Sequence, residues 1–236
     1  MVAKEHIIAF GIELNNKPNS SEDSLTQKII LPWAYKIADT LPNNTILDLA
    51  AGQGIESRIL SEAGFDVISQ DASSEMLGAS YYDGPKVVAI AEQLPYQDAS
   101  FAGILLKDAL VFMSPESRDE MLDEAMRVLV PGGRMLVASE STYMRVWKQD
   151  RPNALAYKDT YPTNDNWQAL LTDAQTAHDY IFIFAANVAD FSQQAHRHGF
   201  RVSVKSDHTF NSPYYKEKRW GGGEGGFVVE LAKRLK

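Results

Sequence analysis

The chain has no cysteine, which excludes disulfides, thiolate metal ligands and a cysteine nucleophile. It also lacks an apolar run long enough to cross a bilayer. The start, Met1-Val2-Ala3-Lys4-Glu5-His6, shows neither the apolar core nor the small-residue cleavage site of a secretory leader. A cytoplasmic location and no membrane partner are expected. Positive charge is scarce, with 23 Lys and Arg against 31 Asp and Glu and a formal net charge of −8. Such a surface has no general attraction for nucleic-acid phosphates, so a small-molecule partner is favoured. Histidine is sparse too. His6, His178, His196, His198 and His208 are scattered, and the one close pair, His196 and His198, falls on different faces of an expected helix. A bound metal is therefore not expected.

What the chain does have is the composition of an ordinary globular protein, 44% hydrophobic and 23% charged over 236 residues. That length suits one doubly wound α/β domain with a modest insertion. Residues 1–44 mix apolar and polar groups around the loop-like run Asn15-Asn16-Lys17-Pro18-Asn19-Ser20-Ser21. Ser24 to Thr40 reads as a helix on Leu25, Ile29, Trp33 and Ile37, with Pro32 as its break or start, and this segment is expected to form a lid. From residue 45 to 236 the pattern is that of a single domain.

Strand and helix alternate along it. Ile46 to Leu49 is an expected strand, Gly54 to Ala63 a helix stopped by Gly64, and Phe65 to Ser69 a strand leading to a helix capped by Ser73 or Ser74. Strands follow at Lys86 to Ala91 and Phe101 to Leu106. Ser114-Pro115-Glu116 starts a helix with Met121, Leu122, Ala125, Met126 and Leu129 on its buried face. Pro131-Gly132-Gly133 ends it, and Arg134 to Ser139 is the next strand. Residues 140–185, rich in Tyr, Trp and Asn, break the alternation and are expected to be an insertion covering a substrate. A helix ending near His198-Gly199 then precedes two strands, Phe200 to Phe210 and Phe227 to Ala232, which suit an antiparallel pair at the sheet's end. The glycine-rich run 221–226 has no strand before it and reads as a flexible loop.

The chemistry concentrates at Ile46-Leu47-Asp48-Leu49-Ala50-Ala51-Gly52-Gln53-Gly54. A buried strand that breaks into glycines and reopens as a helix aims bare N–H groups and a positive helix end at one spot. Asp71 lies at the end of the next strand, where a carboxylate reaches ribose hydroxyls in nucleotide-binding α/β folds. A nicotinamide-linked oxidoreductase needs a third glycine, but Gly52-Gln53-Gly54-Ile55-Glu56-Ser57 puts serine there.

Taken in order, four motifs make the chain resemble the class I S-adenosylmethionine-dependent methyltransferases, within them the small-molecule branch called methyltransferase type 11. They are Asp48 with Gly52 and Gly54; Ser69-Gln70-Asp71-Ala72-Ser73; Ala91-Glu92-Gln93-Leu94-Pro95; and Ala125 to Gly133. The chain departs from the family pattern at Ala50, which replaces the first glycine, and at Ile90, where many relatives carry aspartate. An ordinary backbone conformation is expected at Ala50.

The resemblance implies a mostly parallel Rossmann-like sheet with an antiparallel C-terminal strand, and S-adenosylmethionine as cofactor. Backbone around Ala50, Gly52 and Gly54 would face its methionine part, with Asp48 ordering the loop or binding the amino group through water. Asp71 would hold the ribose, Ala72 would lie beside the adenine, and Ala91 and Glu92 would read the adenine edge. The fourth motif is a fold marker.

Methyl transfer mainly needs an aligned acceptor, so no protein nucleophile is required. Lys107 and Asp108 follow the fourth strand at the ligand-binding edge, and one of them is expected to face the transfer centre or the cofactor; a solvated ion pair is the competing reading. Glu140, Ser141 and Tyr143 follow the fifth strand, and Tyr143 is a further catalytic candidate. Trp33, Tyr35, Tyr143, Trp147, Tyr157, Tyr161 and Trp167 could line an acceptor pocket or merely pack the insertion. The acceptor atom, its base and the oligomeric state stay open. The alternative functions are a noncatalytic S-adenosylmethionine-binding regulator and the oxidoreductase.

Overall fold

The computed structural model describes residues 25–140, 168–171, 181–184, 188–206 and 226–235. Nine strands and five α-helices are assigned among them. In chain order they are α1 (Leu31–Thr40), β1 (Thr45–Leu49), α2 (Ile55–Glu62), β2 (Asp66–Asp71), α3 (Ser74–Gly78), β3 (Lys86–Val88) and β4 (Phe101–Lys107). There follow α4 (Pro115–Val128), β5 (Leu129–Glu140), β6 (Gln168–Leu171), β7 (Ile181–Phe184), α5 (Val188–Arg197), β8 (Arg201–Ser206) and β9 (Gly226–Ala232).

Seven strands form one sheet in the order β3-β2-β1-β4-β5-β9-β8. β1 to β5 pair in parallel, while β9 runs antiparallel to both β5 and β8. This is the doubly wound, mostly parallel sheet with an antiparallel end that the alternation implied. The strand order reverses at β1, so the loops after β1 and β4 diverge and open a crevice at the carboxyl edge.

Both sheet faces are covered, as a parallel sheet requires. On β5, Met135 and Val137 join the core under α4 and α5, while Leu136 and Ala138 join the opposite core under α1 and α2. The period-two alternation of one strand thus builds two cores. Helix α4 supplies Met121, Leu122 and Ala125 to the first core, with Met126 only partly buried. Ser114 caps it, its hydroxyl accepting from the Ser117 N–H, and Lys233 Nζ donates to the carbonyls of Met126 and Leu129 at its end. Those bonds satisfy carbonyls a helix terminus leaves orphaned.

Several boundaries differ from expectation. Thr26–Ile30 forms a π-helical turn running into α1, whose first turn holds Pro32. Proline has no N–H to give, so the regular ladder cannot pass through it. β3 stops at Val88 rather than Ala91. β5 begins at Leu129, because Pro131-Gly132-Gly133 is a bulge inside the strand: pairing jumps from Phe101↔Leu129 to Gly103↔Arg134, with Gly132 at φ 81°. Of the expected strand from Phe200 to Phe210, β8 accounts for Arg201–Ser206 and the rest lies outside the described residues.

Within the expected insertion, β6 and β7 form a separate antiparallel pair, and β7 lies beside the short 3-10 turn Leu110–Phe112 that follows β4. Among the described residues no helix is long and apolar enough to cross a membrane.

Candidate functional site

The loop leaving β1 coils through left-handed conformations at every second residue: Ala50 at φ 59°, Gly52 at 54° and Gly54 at 67°. The sequence suggested an ordinary backbone at Ala50, and the structure corrects this. An L-residue held there costs about 1–2 kcal/mol, so the surrounding bonds must enforce it. The Ala51 N–H donates to the Gln70 carbonyl and the Gly54 N–H to the Ala51 carbonyl, each at 2.9 Å. Gly54 is also a close approach, since a Cβ there would meet Ser80 Oγ at 2.5 Å and Tyr82 Cβ at 3.1 Å. No side chain caps the N-terminus of α2.

Asp71, at the end of β2, closes over this loop. Its Oδ2 accepts the Gly52 N–H at 2.8 Å and its Oδ1 accepts the Ser73 N–H at 2.9 Å. Burial pushes its carboxyl above the usual range, against the N–H groups of Ser73, Gly52 and Ala72, which favour the ionised form. With three N–H groups on its two oxygens, the carboxylate keeps a lone pair for another donor. Ala72 next to it is exposed, and Ser73, not Ser74, caps α3 by accepting the Met76 N–H at 3.0 Å.

Asp48 sits in β1, buried, its carboxylate accepting the Ser57 Oγ–H at 2.6 Å. Burial first and the charge of Glu56 second push its carboxyl up to about 7, with Ser57 and Lys107 pulling the other way. Glu56 meets Lys107 Nζ at 2.9 Å, and Lys107 also lies 3.5 Å from Asp108. Lys107 is therefore ion-paired as the competing reading held, but sheltered rather than solvated, its side chain only 16% exposed. Asp108 has φ 55° and its N–H donates to the Ala138 carbonyl at 2.9 Å. Three elements, β1, α2 and the end of β4, thus bring Asp48, Glu56, Lys107 and Asp108 into one cluster beside the glycine loop.

The third sequence motif forms a turn. The Ile90 carbonyl accepts from the Gln93 N–H and from Gln70 Nε2, both at 3.4 Å, and Ala91 and Glu92 between them are half-buried. Further along, Glu124 Oε2 accepts the Leu94 N–H at 2.7 Å. Arg127 donates to the carbonyls of Leu94 and Tyr96 at 3.0 and 2.7 Å, to Asp98 at 2.9 Å and to Glu124 at 2.8 Å. Sequence reading saw only a fold marker at Arg127 and missed Glu56, Ser57 and Glu124. An acidic residue three before an arginine on one helix face was the available signal for that last pair.

Other candidates separate. Tyr143, Ser141, Trp147, Tyr157, Tyr161, Trp167, His6, His178 and His208 lie outside the described residues. Glu140 ends β5. Trp33 is a core residue whose ring would touch a Cβ at Gly103, and Tyr35 is half-exposed with its ring 5.6 Å from that of Phe65. His198 bonds Asp119 and Asp123 of α4 at 2.7 and 2.6 Å, while the His196 ring contacts the Phe200 carbonyl at 3.1 Å. Neither histidine is near the glycine loop in these contacts.

Residues 47–137, the span from β1 into β5, match a family model described as a methyltransferase domain. The match covers less than half of the chain. Among curated relatives, a demethylmenaquinone methyltransferase of Beutenbergia cavernae is 36% identical over 116 residues, covering 47% of this chain and 48% of that protein. The chain spans about half the length of the curated relatives it matches.

A Methanosarcina mazei structure described as a SAM-dependent methyltransferase shares the fold with TM-score 0.64 and 22% identity, over 85% of this chain and 98% of that one. Another, a SAM-dependent methyltransferase of Bacteroides fragilis in complex with S-adenosyl-L-homocysteine, has TM-score 0.55 and 17% identity over 86% and 77%.

Proposed function

We propose that the chain binds S-adenosylmethionine across the carboxyl ends of β1, β2 and β4 and transfers its methyl group to a small-molecule acceptor. The observation that carries this reading is Asp71 closing on the Gly52 N–H at 2.8 Å over a loop of three left-handed residues. That geometry brings a glycine backbone with no side chain in the way and a carboxylate with a spare lone pair to one place. These groups fit the cofactor: Asp71 would accept from the ribose hydroxyls, Ala72 would lie beside the adenine, and the backbone of Ala91 and Glu92 would read its edge.

Ala50, Gly52 and Gly54 would face the methionine part. Asp48 holds Ser57 and so fixes the loop's exit into α2, while Lys107, held by Glu56, offers a cation to the cofactor's carboxylate. Bound there, S-adenosylmethionine supplies a methyl group made electrophilic by its sulfonium. The chain's task is to align the acceptor lone pair with the methyl–sulfur bond and exclude water. Asp108 at the end of β4, or Tyr143 after β5, would take or orient the acceptor's proton.

Residues 140–185 would form the cover, whereas α1, expected as part of a lid, packs into the core through Trp33, Ala34 and Ile37. The β6–β7 pair beside Leu110–Phe112 supports the cover, since that turn follows β4 directly. The names of the curated relatives favour a small aromatic acceptor. The test is transfer of label from methyl-labelled S-adenosylmethionine to a metabolite panel that includes a reduced demethylated naphthoquinone. Labelled product that disappears in Asp71→Ala supports the reading. Cofactor binding without transfer to any acceptor points to the noncatalytic regulator.

A further inference from the structure

The segment between β3 and β4 has no regular structure after Val88, yet it is fastened at its middle by two side chains of α4. Glu124 accepts the Leu94 N–H at 2.7 Å, and Arg127 donates to the carbonyls of Leu94 and Tyr96, so both backbone groups of Leu94 are held by one helix turn. The two side chains also hold each other twice, through Arg127 Nε to Glu124 Oε1 and Nη2 to Oε2, each at 2.8 Å. A planar, bidentate pair of this kind has little freedom left, and it transmits the position of a rigid helix to a loop. Leu94 itself is buried in the core beneath α4. The backbone four residues upstream is tied from the other side, by Gln70 of β2 to the Ile90 carbonyl.

We propose that Glu124 and Arg127 are positioning residues for ligand recognition: together they hold the Ala91–Glu92 backbone where it reads the adenine of the bound nucleoside. This rests on the proposed cofactor site. It deepens that reading by locating base recognition in main-chain groups whose placement is set from α4. The pair is too far along the loop to be counted as touching the base. Ile90 has no polar side chain to offer, so correct placement of backbone donors and acceptors carries the discrimination, and a displacement of a fraction of an ångström weakens it.

The test compares the full-length protein with Arg127→Ala, Arg127→Lys and Glu124→Gln by calorimetry with S-adenosylhomocysteine and with adenosine, and by amide hydrogen exchange without ligand. For Arg127→Ala the dissociation constant is expected to rise roughly ten-fold for both ligands, as misplaced recognition groups do. The equal loss for adenosine assigns the effect to the nucleoside end of the site, and exchange confined to residues 90–96 separates the base from the ribose. Exchange should accelerate over residues 90–96 and not in β1 or β4. Arg127→Lys should recover part of the affinity.

Unchanged affinity together with unchanged exchange at residues 90–96 overturns the proposal, as does a loss confined to S-adenosylhomocysteine. If Arg127→Ala does not fold, Glu124→Gln decides by the same two readouts, with a smaller rise expected. A wild-type protein that binds neither ligand refutes the cofactor site instead, and the exchange experiment still judges the clamp.

Discussion

The two halves of the main sheet handle charge in opposite ways. In the half built from β1, β2 and β4, ionisable groups gather at one edge under conflicting demands: Asp48 and Asp71 are both pushed up by burial, and Glu56 raises Asp48 further. The backbone there is bent at Ala50, Gly52, Gly54 and Asp108. In the half built from β5, β9 and β8, the buried Glu230 lies within the sheet and is matched by Arg134, with Lys205 at 3.5 Å and Lys36 at 4.0 Å. One half carries left-handed backbone and carboxyls raised by burial, and the other sets its buried carboxylate among three cations. Strain and shifted pKa values collect where a protein binds or reacts. The family match, ending at residue 137 in β5, covers the strained half and omits β9 and β8.

This contrast should appear as a separation between binding and stability. The largest effect is expected for Asp71→Ala, which removes the carboxylate proposed to hold the ribose and should weaken S-adenosylhomocysteine binding by about 2–3 kcal/mol. Calorimetry checks it, and wild-type affinity in a folded variant would break the contrast on the binding side. Next is Glu230→Ala. It leaves Arg134 without its buried partner and should cost about 2 kcal/mol of folding stability in urea, with cofactor affinity unchanged. A loss of affinity there would show that the two halves are not separable.

Asp48→Asn sharpens the comparison through pH. An acid whose folded pKa of about 7 lies above its unfolded 3.8 binds its proton more tightly when folded. Wild-type stability relative to the variant should therefore fall as pH rises across that window and level off above it. The same urea titrations, run at several pH values, test the sign.

The smallest effect is expected from His198→Gln, at most about 1 kcal/mol for a partly exposed pair. Burial alone would lower the His198 pKa, but its bonds and charges with Asp119 and Asp123 outweigh this and raise it above 6.5. Its contribution is thus complete below about 6.5 and is lost as pH rises through the raised value. Binding should not change.

How far the sequence foretold this depends on how local each signal is. The sheet was legible because its strands are short apolar runs punctuated by Gly64, Ser114-Pro115 and Gly199, each acting within a few residues. Ser114 capping α4 and the antiparallel pairing of β8 and β9 followed from that. Asp71 stood out because its position at a strand end has a direct chemical meaning.

The rest depended on contacts distant in sequence. Ala50 is left-handed because the Gln70 carbonyl holds Ala51 and Asp71 holds Gly52, neither of which composition near Ala50 reveals. Pro131-Gly132-Gly133 looked like a helix stop and is a bulge, since β4 pairs on both sides of it. Lys107 could not be assigned until Glu56 was seen across from it on α2. Roles proposed for Tyr143 and the aromatics of residues 140–167 lie outside the described residues.

The most direct test of the central claim is calorimetric titration of the wild-type protein with S-adenosylmethionine, S-adenosylhomocysteine and NAD in parallel. Saturable binding of the first two and none of NAD is the result expected of a carboxylate and a glycine loop arranged as they are here. Binding of NAD alone, or of none of the three, would contradict it.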